Sequence, residues 1–217
     1  MYSLVIDLEM CKVPKIYRHK SYKYATEIIQ VGAVLLDEDY KEVDRFESYV
    51  HPEHGVIDTF IKDMTGINSC NVKDAKLLKE VIHTMLAWIG DREYKVYAWS
   101  DSDFMQLYRE IKCKDINDDD IEKFMYPERW IDYQQVFGKR FDFKDCVSLE
   151  EALDLCDIEF EGRMHDGLWD AVNTASLIRK LELDNEYKII KQTYEKETEP
   201  LGTCLRDVFA GLILQIA

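Results

Sequence analysis

The sequence predicts an α/β fold in which helices flank a mixed central β-sheet. Three observations carry that expectation. Strand-like apolar runs come early in the chain, later strand candidates are interspersed with segments of helical spacing, and 217 residues that are 47% hydrophobic suffice for a core of one domain.

The first strand is expected at residues 2–9 (YSLVIDLE). Two more follow at 27–36 (EIIQVGAVLL) and 43–50 (VDRFESYV), divided by the turn-like DEDYKE. Residues 73–90 repeat at helical spacing, with Ala75, Leu78, Val81, Ile82, Met85 and Leu86 on one face. A strand at 94–99 (YKVYAW) and a helix over about 101–112 come next. Residues 114–127 are expected to be an acidic connection and 129–137 (RWIDYQQVF) another strand. Helices fit 148–156, 167–183 and the region around 203–216.

Composition excludes several classes. No apolar run reaches the roughly 18 residues of a membrane span, so no membrane partner is expected. MYSLVIDLEM lacks the basic start of a signal peptide, which points to a cytoplasmic protein. Six cysteines without a CxxC pair point to reduced thiols rather than a disulfide framework or a zinc site. The acidic run Asp115–Asp120 fails as a calcium loop, because Asp120 and Tyr126 stand where Gly and Glu are needed. A net charge of −15 argues against a protein that grips long nucleic acid along its backbone.

Three groups of residues suggest chemistry, each with a plainer reading beside it. Asp7 and Glu9 stand at i and i+2 of the first strand, so both carboxylates share one face and repel unless a cation lies between them. The alternative is two solvated acids at a strand end. Asp103 follows the strand 94–99 and also completes a capping-box pattern with Ser100, while Asp101 competes with it. His165 and Asp170 open a helix, where an acid is favourable simply through the helix dipole.

Taken together, VIDLEM, AWSDSDF and HDGLWDAVNTA resemble the motifs of the DEDDh 3′→5′ exonucleases, which have an RNase H-like fold. EIIQVGAV and MTGI (64–67) resemble the family's second strand and the turn beside its substrate end. The resemblance covers roughly residues 2–183, giving an exonuclease domain at 1–183 and a C-terminal helical extension at 184–217. DLEM and AWSDSDF look most like the branch of ERI-1-type RNA exonucleases and related bacterial proteins.

The resemblance implies that Asp7, Glu9, Asp103 and Asp170 hold two divalent ions, Mg²⁺ or Mn²⁺, and that His165 is the general base. It prefers Asp103 over Asp101, because the family acid precedes an apolar or aromatic residue, here Phe104. Met10, Thr65 and Ile67 are implied to border the terminal nucleotide, and Glu27 is either near the site or an edge-strand surface acid. Residues 10–26 contain Lys12, Lys15, Arg18, Lys20 and Lys23 but no acid, with Tyr17, Tyr22 and Tyr24 interleaved. Lys12 and Tyr17 are therefore candidates to meet phosphate and base, although a solvated connection has equal claim.

The expected activity is two-metal hydrolysis of phosphodiester bonds from the 3′ end of single-stranded nucleic acid, with RNA slightly favoured over DNA. A histidine of ordinary pKa near 6.5 suits the proton transfer at neutral pH. Two other readings compete: a catalytically silent regulatory module that keeps the fold, and a phosphodiesterase for very short oligonucleotides. A protein partner and the oligomeric state stay open.

Overall fold

The computed structural model describes residues 1–17 and 23–189. The region around 203–216, with its expected helix, and Arg18, Lys20 and Tyr22 lie outside the described residues.

Five strands form one sheet: β1 (Tyr2–Lys12), β2 (Thr26–Leu36), β3 (Glu42–Tyr49), β4 (Tyr94–Ala98) and β5 (Trp130–Asp132). Their order is β3-β2-β1-β4-β5. The β1–β2 and β2–β3 pairs are antiparallel, while β1–β4 and β4–β5 are parallel. The sheet is thus mixed and flanked by helices, as expected.

Side-chain alternation divides the core between the two faces. Leu4, Ile6 and Leu8 of β1, with Val31, Ala33 and Leu35 of β2, pack on α3 (Leu78–Ile89), α4 (Asp101–Cys113) and α5 (Asp119–Phe124). Val5, Val34 and Leu36 face the other way, onto α6 (Tyr133–Phe141), α7 (Leu149–Leu155) and α8 (Gly167–Leu183). A smaller cluster of Cys11, Ile29, Ile61, Ile67 and Val72 seats two short helices, Thr59–Thr65 and Ser69–Val72, here α1 and α2.

Several boundaries differ from expectation, each for a local reason. The stretch 114–127 is not merely a connection: Asp118 accepts hydrogen bonds from the backbone N–H groups of Asp120 and Ile121 and starts α5, which buries Ile121 and Phe124. The strand expected at 129–137 lasts three residues, because Asp132 accepts from Gln135 N and caps α6. The helix expected from residue 73 begins at Leu78, leaving Ala75 in a turn, and Glu80 accepts from Leu77 N at its start. β1 continues past residue 9 to Lys12 through an irregularity at Glu9/Met10.

Glu27 is buried rather than a surface acid. Its carboxylate accepts three backbone N–H groups, from Glu53, His54 and Gly55, at 2.6–2.8 Å, and pairs with Lys114 at 2.7 Å. Lys114 also meets Glu110 at 2.9 Å and Glu53 at 3.1 Å. Burial alone would raise the pKa of Glu27, but Lys114 and the N–H groups hold it below the ordinary value. Glu110 is pushed up to about 7 by burial, against the pull of Lys114. The cluster ties the start of β2 and the end of α4 to the loop leading into α1. Lys114→Met would strand two buried carboxylates and is expected to cost about 3–5 kcal/mol. Urea unfolding at pH 8 measures it, and a loss below about 1 kcal/mol would show that solvent reaches the cluster.

Candidate active site

The site lies where α8 meets the sheet, and two glycines allow that meeting. Gly32 of β2 stands opposite Asp7 of β1. A Cβ on Gly32 would lie 2.1–2.2 Å from backbone atoms of Gly167 and Leu168. A Cβ on Gly167 would in turn fall 3.2 Å from Asp7 O. Backbone therefore packs on backbone at the first turn of α8. Between them, fully buried Gln30 accepts from Gly167 N at 2.9 Å and donates to Glu47 at 3.0 Å.

This contact brings Asp170, one turn into α8, to the face of β1 that carries Asp7 and Glu9. Asp103 arrives from the other side. β4 pairs with β1 only as far as Val5, and α4 begins just beyond it. There Asp103 Oδ1 accepts Leu8 N at 3.2 Å. Ser100 caps α4 by accepting from Ser102 N, so the capping role expected for Asp103 is not what occupies it. Asp101 is exposed, whereas Asp103 is buried.

The four acids share one low-dielectric space. Burial, followed by the charges of Asp103, Asp170 and Glu9, raises Asp7 well above its ordinary value. Glu9 is raised by burial and then by Asp170 and Asp103. Asp103 and Asp170 are each pushed up to about 7, chiefly by burial. Like charges so placed call for protons or cations.

His165 has φ +58°, a left-handed conformation, and its backbone N–H donates to Asp170 Oδ2 at 3.1 Å. Burial lowers its pKa, with Arg163 acting in the same direction and Glu150 against, so the ring is neutral at neutral pH. One ligand atom each from Glu9, His165 and Asp170 lie within 4.8 Å of one another, close enough to share a cation. A hard, carboxylate-rich donor set with a neutral imidazole fits a divalent metal.

The remaining candidates are placed as follows. Met10 is half-buried against the α3–α4 core. Thr65 and Ile67 are buried: Thr65 Oγ1 donates to Ile61 O and accepts from Ile67 N, so the outer surface of this turn belongs to Met64 and Gly66. Lys12 pairs with Asp58 at 3.2 Å and lies 4.6 Å from the ring centroid of exposed Phe60. Tyr17 is exposed on a single 3₁₀ turn, Lys15–Tyr17. Sequence reasoning passed over Gln30, Gly32, Asp166 and Arg163. A glycine and a glutamine inside an apolar strand were the available signals.

The family model for RNase T, described as exonuclease, matches residues 4–178. The chain belongs to this exonuclease family. Its members include relatives of clear similarity: ERI1 exoribonuclease 2 of Xenopus laevis is 31% identical over 220 residues, covering 90% of this chain and 30% of that protein. The Homo sapiens protein of the same name is 30% identical, covering 84% and 28%. The chain thus spans less than a third of the length of these two relatives. Among solved structures, the nuclease domain of 3′hExo, a DEDDh family member bound to rAMP, superposes with a TM-score of 0.69 at 21% identity, covering 88% of this chain and 96% of that one. The fold is RNase H-like, as the motifs implied.

The raised carboxylates set a pH dependence. A group such as Asp103, ordinarily near 3.8 and here about 7, favours the folded state in its protonated form. That contribution is complete below about 3.8 and disappears as pH rises through about 7. Metal-free Asp103→Asn, which keeps an acceptor for Leu8 N, should therefore melt above the wild type at pH 8. The expected gain is about 2–4 °C per kcal/mol of repulsion relieved, shrinking at pH 5. Equal melting points at pH 8 would mean that the carboxylates do not repel one another in the folded protein.

Proposed function

We propose that the chain is a metal-dependent 3′→5′ exonuclease that shortens single-stranded nucleic acid, RNA in preference to DNA. The observation that carries this reading is the convergence of Asp7, Glu9, Asp103, Asp170 and His165 at one site, with every acid driven above its ordinary pKa. Family membership supports the reaction, and the names of the relatives as exoribonucleases support RNA.

Asp7, Glu9, Asp103 and Asp170 would hold two divalent ions, Mg²⁺ or Mn²⁺, whose chemistry is to acidify a water and offset charge on the departing 3′ oxygen. Asp103 is oriented by Leu8 N and Asp170 by His165 N, each of which fixes its carboxylate at the site. His165, neutral at neutral pH, takes the proton of the attacking water on a ring nitrogen. The turn Met64–Ile67 and Met10 would border the terminal nucleotide. Lys12, set over Phe60, and exposed Tyr17 would meet the preceding nucleotides. A short grip of this kind reconciles the substrate with a net charge of −15. A cytoplasmic location belongs to the same proposal.

The test is a 5′-labelled single-stranded RNA and its DNA counterpart, each incubated with Mg²⁺, Mn²⁺ or EDTA. A ladder receding from the 3′ end, faster on RNA and abolished by EDTA, is expected. Asp103→Asn should slow it about a hundredfold or more, equivalent to roughly 3 kcal/mol of lost metal stabilisation. Intact RNA and DNA in both metals would overturn the reading, and turnover confined to dinucleotides would replace it with a short-oligonucleotide phosphodiesterase.

A further inference from the structure

The loop before α8 crosses to a separate element through one side chain. Arg163 Nη2 donates to Asp63 O at 2.8 Å and lies 3.4 Å from Met64 O, in the last turn of α1. Helix ends present unpaired carbonyls and the negative end of the dipole, so a guanidinium is a well-matched cap. Gly66 closes α1 at φ +79°, and a Cβ there would lie 2.1 Å from Arg163 Nη1. The glycine is thus required twice, for its conformation and for the seat it leaves to the arginine.

The loop is also fastened at both of its ends on α8. Asn173 exchanges two hydrogen bonds with the backbone of Glu161, and Gly162 lies flat against the Trp169 ring. At the other end, Asp166 caps α8, and Asp170 receives His165 N. His165 itself sits in a left-handed backbone conformation that a non-glycine residue holds only when its surroundings impose it. Arg163, two residues earlier, connects this loop to α1.

We infer that Arg163 is a positioning residue for the reaction: its guanidinium pins the His165 loop to the C-terminal end of α1 and sets the reach of His165 over a 3′-terminal nucleotide held against that turn. The inference rests on the exonuclease reading above. Lysine cannot replace the arginine fully, because a single ammonium does not span two carbonyls beside Gly66 in one plane.

Single-turnover cleavage of a short 5′-labelled RNA in Mn²⁺, with melting as the folding control, tests it. Arg163→Ala should slow the cleavage step about tenfold to a hundredfold, as misplacement by about 1 Å does, while half-saturation moves about twofold or less. Guanidinium chloride at low concentration should restore part of the lost rate to Arg163→Ala and none to Asp103→Asn. Gly66→Ala, which keeps the arginine but fills its seat, should slow the same step, and the double variant should add little to either single one. If the alanine variant does not melt cooperatively, Arg163→Gln, with a planar donor for one carbonyl, takes its place with an intermediate rate expected. Wild-type cleavage rates in Arg163→Ala would overturn the inference alone. A change confined to half-saturation would also overturn it, making Arg163 a substrate contact. An inactive wild type would overturn it together with the exonuclease reading.

Discussion

The close approach of Gly32 and Gly167 is the constraint from which the site follows. Each lacks a side chain where the other's backbone passes, and Gln30 supplies a polar link, accepting from Gly167 N and donating to Glu47. Helix–sheet packing normally holds helix and strand apart by the thickness of two side-chain layers. Removing both layers at one point lets the first turn of α8 rest on β1 and β2 themselves. Asp170 and His165 are carried into range of Asp7 and Glu9 by that contact.

The same burial that orders the site also makes it electrostatically unfavourable without a cation. Asp7 and Glu9 are raised by burial and then by their neighbours, and Asp103 and Asp170 reach about 7. The fold tolerates this because separate elements anchor the acids independently: the β1 ladder, the Leu8 N–H for Asp103, and the His165 N–H for Asp170. Such preorganisation is useful where charge must be met without rearrangement. Glu27 illustrates the opposite outcome. It too is buried, but Lys114 and three backbone N–H groups neutralise it, so it binds the fold together.

Much of the fold was legible because periodicity reports which face of its own element a residue takes. The alternation of β1 placed Asp7 and Glu9 together, and the helical repeat of 167–183 matched α8 to its ends. The misjudged segments share a cause. In WIDYQQVF and in the acidic run before Ile121, a capping aspartate is hidden among residues that also suit a strand or a loop. A short apolar run does not distinguish strand from helix, and only the cap geometry decides.

The sequence by itself determined the sheet-and-helix composition, the shared face of Asp7 and Glu9, and the motifs that mark the exonuclease family. The tertiary structure decided the rest. It gave Asp103, which the motif already preferred to Asp101, its anchor on the Leu8 N–H at the point where β4 ends. It turned Glu27 from a candidate site acid into a buried anchor, and it set Arg163 against an α1 carbonyl 100 residues earlier in the chain. The physical reason is the same in each case. Spacing along a chain encodes orientation within an element, whereas partner, burial and pKa depend on which other elements arrive at the same place.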